Sequence, residues 1–360
     1  MYEKGIGVSQ NIIIATELYT KACKGGFILS CTRELRDEFD VEENLASDEI
    51  ITHQLDCYGG NADACNILGY MYEEGHDVEQ DVARALMFYQ KSCDGKDTLG
   101  CYNLGRMYVL GKGVKHDYEK ALVLLNRTCE ENFYQACHNL GELYQEGRGV
   151  KQDVSKAVTF YNKSCEGRYN FSCTELGLIY AYARGVKQDN PKAISFYNKA
   201  CDQGEGEGCY ELAFNYQFGL ALEKDSPKAI EYYGRSCDEN YPWGCLGLGK
   251  IYIEGIDAQP DVEKAILLFK QICNDTFAVG CAELGLLYVE GRGVEKNEQT
   301  AFTLFKKACD TGVGAGCSNL GIMYAEGRTV AKNLERAKML FKQGCEGHDY
   351  IGCSRMQGYN

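Results

Sequence analysis

Residues 101–137, CYNLGRMYVLGKGVKHDYEKALVLLNRTCEENFYQAC, decide the fold of this chain. The stretch holds two helical patterns, a turn that contains Gly111 and Gly113, and cysteines at both ends. The same pattern returns every 36 residues along most of the chain. A spacing of this size indicates helical repeats that stack into a solenoid, because one repeat cannot bury its apolar face alone.

The constant positions of the repeat predict how its two helices pack. Counted from the cysteine that begins the first helix, Leu stands at position 3, Gly at position 4 (Ala213 in one repeat) and Tyr at position 7. These positions share one helix face. The second helix has Ala at position 20 and Tyr or Phe at position 24, with Leu125 as the exception. A small residue beside large ones predicts a close approach of neighbouring helices.

Glycines and a capping residue predict where the helices end and begin. Gly at positions 10 and 12 favours the left-handed backbone that ends a helix. Ala183, Ala221, Asp77 and Asp257 replace some of these glycines. An Asp or Asn at position 16 predicts the N-cap of the second helix. These capping residues are Asp81, Asp117, Asp153, Asp189, Asp225, Asp261, Asn297 and Asn333.

The twenty cysteines form ten pairs with the spacing C-x7-C. An even count at constant spacing predicts a disulfide framework and an oxidising compartment. Two antiparallel helices joined by a short loop bring their ends within the Cβ separation of about 4 Å that a disulfide needs. No C-x-x-C occurs, which disfavours zinc and thioredoxin-like chemistry. The predicted bridges are Cys23–Cys31, Cys57–Cys65, Cys93–Cys101, Cys129–Cys137, Cys165–Cys173, Cys201–Cys209, Cys237–Cys245, Cys273–Cys281, Cys309–Cys317 and Cys345–Cys353.

We expect residues 1–360 to form one solenoid. Its predicted parts are a partial first repeat (1–30), a degenerate repeat (31–64), regular 36-residue repeats (65–344) and a C-terminal end (345–360). The degenerate repeat carries an acidic run and is typical of the end of an array. The chain starts inside a first helix without a visible secretory signal, so we expect the leader of an exported form to lie upstream.

Charge and hydropathy exclude two classes of partner. The net charge of −14 and the pI near 5.0 disfavour nucleic acid and anionic membrane surfaces, which bind basic proteins. No stretch of about 18 apolar residues occurs, so we predict no membrane insertion.

The pattern L-G-x-x-Y, G-x-G-V, D, K-A, Tyr or Phe, and C-x7-C resembles the Sel1-like repeat, a relative of the tetratricopeptide repeat. The version with cysteines resembles the Helicobacter cysteine-rich protein family, closely over residues 65–353 and partly over 1–64. The resemblance implies an all-α, right-handed α-α superhelix of about nine helix pairs with bridges between adjacent helices. It also implies a secreted or periplasmic protein that binds a protein or peptide, in some members host-facing.

The resemblance implies two alternative functions as well. Members of the cysteine-rich family carry a label as weak, penicillin-binding β-lactamases, and a more distant relative is a mitochondrial intermembrane-space assembly factor. The chain contains no S-x-x-K, and its five histidines are scattered. We therefore expect no catalytic residue, metal or cofactor, and we expect these histidines to face solvent. β-Lactam binding rests on the resemblance alone.

Positions 2, 5 and 9 of the first helix lie opposite its packed face and predict a binding ladder. In tetratricopeptide-like stacks this helix lines the concave surface; a solvated face without a partner is the alternative. Five candidates place apolar groups where other repeats carry charge and predict a recognition patch, with local repacking as its alternative. These five are Leu178, Tyr182, Tyr210, Phe214 and Phe218. The other candidates are Asn103, Arg106, Asn139, Glu142, Glu146, Glu175, Glu211, Glu283 and Asn319.

Overall fold

A computed structural model of the chain describes residues 48–255 and 259–357. Within these ranges the secondary structure consists of helices, with no strand. In chain order they are α1 (Asp48–Tyr58), α2 (Ala62–Glu74), α3 (Val82–Asp94), α4 (Thr98–Leu110), α5 (Tyr118–Glu130), α6 (Tyr134–Glu146), α7 (Val154–Glu166), α8 (Asn170–Ala181), α9 (Asn190–Asp202), α10 (Gly206–Phe218), α11 (Ser226–Asp238), α12 (Pro242–Glu254), α13 (Val262–Gln271), α14 (Val279–Glu290), α15 (Glu298–Asp310), α16 (Gly314–Glu326), α17 (Leu334–Glu346) and α18 (Tyr350–Gln357). The predicted all-α fold is confirmed.

The chain divides into two compact units, Met1–Tyr169 and Asn170–Asn360, called here the N-terminal and the C-terminal unit. Within each unit, helices that follow one another along the chain pack together, such as α4 with α5 and α10 with α11. First helices of successive repeats also contact each other: α2 with α4 in the N-terminal unit, and α8 with α10 and α10 with α12 in the C-terminal unit. The surface that these first helices form is called here the first-helix face. That residues 1–360 continue as one solenoid stays a prediction.

An aromatic ring that lies on a glycine joins the two helices of most repeats. A Cβ atom added to Gly285 of α14 would lie 2.5 Å from Cε1 of Phe305 on α15, which is buried. A Cβ atom added to Gly249 of α12 would lie 2.5 Å from Cε1 of Phe269. Carbon atoms at optimal contact are about 3.5–4.0 Å apart, so the rings of Phe305 and Phe269 leave no room for a Cβ atom at Gly285 and Gly249. The close helix approach predicted from the small residues is confirmed.

The turn within each repeat has the predicted caps. The side chain of Asp153 accepts a hydrogen bond from the backbone N–H of Lys156 at 3.0 Å, and its own N–H donates to the carbonyl oxygen of Tyr144 at 2.9 Å. All the predicted Asp and Asn residues cap second helices in this way. Gly147 ends its first helix with a φ of 74°. Ala183 takes a φ of 52° in the turn after α8, a region that costs a residue with a Cβ about 1 kcal/mol or more.

All cysteines of residues 48–255 and 259–357 are disulfide-bonded. The bridges join the predicted partners, with Cα–Cα distances between 4.4 and 4.8 Å. Each bridge connects the end of a second helix to the start of the next first helix, as Cys201–Cys209 does between α9 and α10. Cys165 and Cys173 are also disulfide-bonded. The predicted pair Cys23–Cys31 and the partial and degenerate repeats before residue 48 lie outside the described residues. No helix in the described ranges has the length and hydropathy of a membrane-crossing segment.

Gly285→Ala and Gly105→Ala form a matched pair that tests the contact between ring and glycine. We expect Gly285→Ala to lower the free energy of unfolding by about 1–3 kcal/mol, because the buried Phe305 ring must move. A Cβ atom at Gly105 would lie 3.2 Å from Cγ of Leu125, where the aromatic ring is missing. Gly105→Ala should therefore lower the free energy of unfolding by less than Gly285→Ala does. The helix propensity of Ala, which is better than that of Gly by about 1 kcal/mol, offsets part of its loss. Urea unfolding followed by circular dichroism measures both. Equal losses would contradict the packing role of the ring.

Candidate functional site

On the first-helix face of the N-terminal unit, several predicted binding residues join neighbouring repeats. Nδ2 of Asn103 on α4 donates to Oδ1 of Asn66 on α2 at 2.9 Å. Arg106, one turn further along α4, donates through Nη2 to Oε1 of Glu73 on α2 at 2.6 Å. Asn139 on α6 forms a side-chain hydrogen bond with Tyr102 on α4. These residues thus stabilise the stack of repeats through their own contacts.

The other polar candidates except Glu211 lie on the first helices α6, α8, α14 and α16. Glu146 pairs with Arg148 (Oε2 to Nε, 2.6 Å), and Glu283 with Lys250 (Oε1 to Nζ, 3.0 Å). Asn319 donates through Nδ2 to the carbonyl oxygen of Ala315 at 2.9 Å. The two others are Glu142, which lies 3.7 Å from Nε2 of His138, and the half-buried Glu175 on α8.

Glu73 is a buried charged residue that the predicted ladder did not include. Its carboxylate is inaccessible to solvent and accepts hydrogen bonds from Oη of Tyr89 at 2.8 Å, from Arg106, and from Nζ of Lys112 at 3.0 Å. Burial acts to raise the pKa of Glu73, but the hydrogen bonds from Lys112, Tyr89 and Arg106 outweigh it and hold this pKa below 4.5. Position 8, where Glu73 stands, holds an apolar residue or Gln in the later repeats. This exception at position 8 is the feature of the sequence that could have identified Glu73 as a residue of interest.

Two tyrosine hydroxyls at position 24 donate to the position-8 residue of their own repeat. Oη of Tyr89 donates to Glu73, and Oη of Tyr233 donates to Oε1 of Gln217 at 2.7 Å. Tyr197, only 1% exposed, is different: its hydroxyl is buried and has no hydrogen-bond partner in the described part of the chain. The reason lies at position 8, where its repeat has Ala181, which offers no side-chain acceptor. An unpaired buried hydroxyl costs about 1–3 kcal/mol.

The unpaired hydroxyl belongs to a cluster on the first-helix face of the C-terminal unit. We call it the acidic–aromatic cluster and define it by Tyr182, Tyr197, Glu207, Tyr210, Glu211 and Tyr241. Glu207, Tyr210 and Glu211 lie on α10, Tyr182 directly follows α8, Tyr197 comes from α9 and Tyr241 directly precedes α12. The cluster therefore gathers side chains from two consecutive repeats.

The two carboxyl groups of the cluster share an environment that disfavours their charge. Burial and the nearby charge of Glu207 raise the pKa of Glu211 to about 7, against the smaller opposing effect of Arg184. Burial and the charges of Glu205 and Glu175 likewise raise the pKa of Glu207, although a hydrogen bond from Tyr241 acts in the opposite direction. Within the described residues, the Glu211 side chain has no hydrogen bond or ion pair. Burial raises the pKa of Tyr197, and Glu211 raises it further.

Aromatic rings continue from the cluster along α10. The ring centroids of Tyr210 and Phe214 are 6.1 Å apart, and those of Phe214 and Phe218 are 4.6 Å apart. Tyr182 is 58% exposed and Phe218 is 54% exposed, whereas Tyr210 and Phe214 are half-buried. Leu178 corrects the sequence-based expectation, because it is only 9% exposed and packs in the core beside Tyr197. The exposed members of the predicted patch are therefore aromatic.

The histidines show one further correction. His138 was expected to face solvent, but it is largely buried against the rings of Tyr161 and Tyr169, and burial lowers its pKa to about 4. Nδ1 of His116 lies 2.8 Å from the carbonyl oxygen of Val109. The described residues contain no group of three or more His, Cys, Asp or Glu residues that could hold a metal ion.

Stacked helix pairs with a constant glycine, aromatic and capping pattern define an α-helical repeat protein. The Sel1 repeat family matches the chain nine times, at residues 1–27, 62–97, 98–133, 135–169, 171–205, 206–241, 244–275, 278–313 and 314–349. The chain belongs to the Sel1 repeat family.

Solved structures show the same fold. One is a protective antigen present in uropathogenic Escherichia coli strains, described as having an SLR fold. It is 22% identical in sequence with a TM-score of 0.60, over 95% of this chain and 81% of that protein. Another is a Sel1 repeat protein from Oxalobacter formigenes, 21% identical with a TM-score of 0.61, over 88% of this chain and 91% of that one. No curated protein sequence matches the chain.

Replacing single hydroxyl groups tests the different surroundings of Tyr197 and Tyr233. Tyr197→Phe removes a buried hydroxyl without a partner, so we expect the free energy of unfolding to stay the same or to rise slightly. Tyr233→Phe breaks the bond to Gln217 and should lower it by about 1 kcal/mol. Urea unfolding of both variants at pH 7 gives the comparison. A larger loss for Tyr197→Phe would mean that its hydroxyl has a partner after all.

The raised pKa of Glu211 predicts a pH-dependent stability difference. The folded form holds the Glu211 proton more tightly than the unfolded chain, so the stability from this group is full below pH 4.5 and is lost as the pH rises through about 7. Glu211→Gln should therefore unfold like the wild type at low pH and be more stable by about 1–2 kcal/mol at pH 8. Glu223→Gln, an exposed change in the same unit, serves as the control and should show no such pH dependence. A constant difference between Glu211→Gln and wild type would contradict the raised pKa.

Proposed function

We propose that the chain is an exported scaffold that binds a protein or peptide partner on the first-helix face of its C-terminal unit. The observation that carries this proposal is the aromatic run on α10 and beside it. Tyr182 and Phe218 expose more than half of their surface next to the half-buried Tyr210 and Phe214. Aromatic side chains of this kind form the centres of protein interfaces, because they bury a large area at little entropic cost.

The N-terminal unit supports this location by contrast. There, Asn103 and Arg106 are occupied by hydrogen bonds to the neighbouring helix α2. At the position of Arg106, α10 has Phe214, which makes ring contacts and no charged pair. In the N-terminal unit these polar side chains on the first-helix face are hydrogen-bonded to the neighbouring helix, whereas in the C-terminal unit the face presents aromatic rings.

The disulfides support export. Disulfide bonds persist in oxidising compartments and are rare where glutathione and thioredoxin keep thiols reduced. The described cysteines are all bridged, which agrees with a periplasmic or extracellular location. Such a location favours a partner that is itself exported or belongs to another cell.

Peptides selected by display on the full, oxidised chain test the proposed surface. We expect the double variant Phe214→Ala, Phe218→Ala to lose at least about tenfold in affinity for a selected peptide, because it removes the centre of the contact. Isothermal titration calorimetry measures the change. Leu267→Ala is the matched control: Leu267 is 65% exposed on a second helix, α13, and its loss should leave the affinity unchanged.

Two results would contradict the proposed surface. One is a failure to select any peptide on the oxidised chain. The other is a set of peptides whose affinity Leu267→Ala lowers as much as the double variant does.

A further inference from the structure

The N-terminal unit contains a complete site for a cation. Between α2 and α4, the Glu73 carboxylate accepts from the Tyr89 hydroxyl and from the Arg106 guanidinium. Lys112 adds a second positive charge, with its Nζ 3.0 Å from Oε1 of Glu73. Tyrosine hydroxyl, carboxylate and cation form one closed network, and all three belong to the chain.

The corresponding place between α8 and α10 in the C-terminal unit has different residues at the equivalent positions. Tyr197 stands where Tyr89 stands in its repeat, but the position of Glu73 is taken by Ala181 and the position of Arg106 by Phe214. The negative charge comes instead from Glu207 and Glu211 on α10 itself. The tyrosine and the carboxyl groups are present, and no cation is hydrogen-bonded to Glu211 within the described residues.

Two independent observations show that side chains of this cluster have unused hydrogen-bonding capacity among the described residues. The Tyr197 hydroxyl is buried and unpaired. Glu211 is largely buried and has no hydrogen-bond donor among the described residues, an arrangement that is costly for a carboxylate. Arg184 lies near enough to act on both carboxyl groups, but it is exposed and its guanidinium lies over the Tyr182 ring, 5.5 Å from the centroid.

We propose that the acidic–aromatic cluster binds the guanidinium group of an arginine side chain from a protein or peptide partner. The carboxylates of Glu207 and Glu211 accept its N–H groups, and the Tyr197 hydroxyl oxygen accepts one more. The rings of Tyr182 and Tyr210 supply aromatic faces, to which a guanidinium is attracted. Arginine fits better than lysine because its planar group has five donors for a set of separated acceptors.

The proposal rests on the proposed function and defines its partner more closely. The hydrophobic part of the partner would lie on Phe214 and Phe218, and the arginine would enter the cluster beside them. The net charge of −14 favours such a partner as well, since an acidic protein attracts basic segments over long range.

Binding of a cation predicts a defined pH dependence. The groups that face Glu211 are Glu207 and Tyr210 on the same helix, Tyr182 and Arg184 after α8, Tyr197 on α9, Tyr233 on α11 and Tyr241 before α12. The tyrosines stay protonated up to pH 8 because burial and the nearby carboxylates raise their pKa values. Between pH 6 and 8 the Glu211 carboxyl group therefore changes charge, because its pKa of about 7 lies in this range.

Two short peptides test the proposal on the full, oxidised chain. Both are acetylated and amidated with two leucines around the central residue, which is arginine in one and citrulline, its uncharged analogue, in the other. We expect the arginine peptide to bind at least about tenfold more tightly at pH 8, and we expect its advantage to shrink toward pH 6. Isothermal titration calorimetry at low and moderate salt measures both peptides.

Variants of the cluster separate a specific site from general attraction by an acidic protein. Glu211→Gln should abolish most of the arginine advantage and its pH dependence, and its fold is expected to be at least as stable as the wild type. Tyr197→Phe should lower the affinity for the arginine peptide several-fold and leave the citrulline peptide unchanged. Glu223→Gln, the exposed control, should affect neither peptide.

The possible failures have different meanings. Equal affinity for the two peptides, with loss of both on Phe214→Ala, Phe218→Ala, would overturn the arginine site and leave the proposed surface in place. An arginine advantage that Glu223→Gln reduces as much as Glu211→Gln would also overturn it, since the attraction would then be unspecific. Calcium serves as a competitor for the carboxylates. Displacement of the arginine peptide only at millimolar calcium would support the arginine site. Displacement at lower calcium concentrations would instead assign the carboxylates to a metal ion.

Discussion

The contact between a ring of the second helix and a glycine of the first helix is the interaction on which the rest of the structure depends. It sets the distance between the two helices of a repeat, as Phe305 on Gly285 shows. It also carries the aromatic side chain across the repeat, so that a tyrosine hydroxyl at this position reaches the first-helix face. A tyrosine at this position of the second helix buries its hydroxyl, and a buried hydroxyl requires a hydrogen-bond partner. The polar contacts of the candidate site follow from this requirement.

Disulfides act at a different place from this contact. Each described bridge joins the end of one repeat to the start of the next, as Cys237 and Cys245 do, whereas ring and glycine act inside a repeat. Closing a loop this short limits the unfolded chain only modestly, by about 2–3 kcal/mol per bridge in the chain-entropy model. The contact between ring and glycine thus stabilises each repeat, and the disulfide stabilises the connection between one repeat and the next. Side chains on the first-helix face can therefore vary without loss of either interaction, wherever they make no contact between repeats themselves.

The side chains of the first-helix face differ between the two units. In the N-terminal unit, Glu73, Tyr89 and Arg106 satisfy one another, and the carboxylate keeps a low pKa although it is buried. In the C-terminal unit, the buried Tyr197 and the largely buried Glu211 have no such partners among the described residues, and the pKa of the Glu211 carboxyl rises. The same physical rule, that buried polar groups require partners, gives a structural cross-link in one case and a candidate binding site in the other.

The amino-acid sequence by itself determined the repeat: helix pairs, caps such as Asp153, and the pairing of cysteines all follow from local rules of spacing. It also indicated α10 as unusual through Tyr210, Phe214 and Phe218. Only the tertiary structure decided which candidate side chains are exposed, because that depends on neighbours one repeat away. It buried Leu178 and His138 and paired Arg106 with Glu73. Tyr197 looked like one more constant core residue in the sequence. Only the packing showed that its hydroxyl is buried without a hydrogen-bond partner in the described part of the chain.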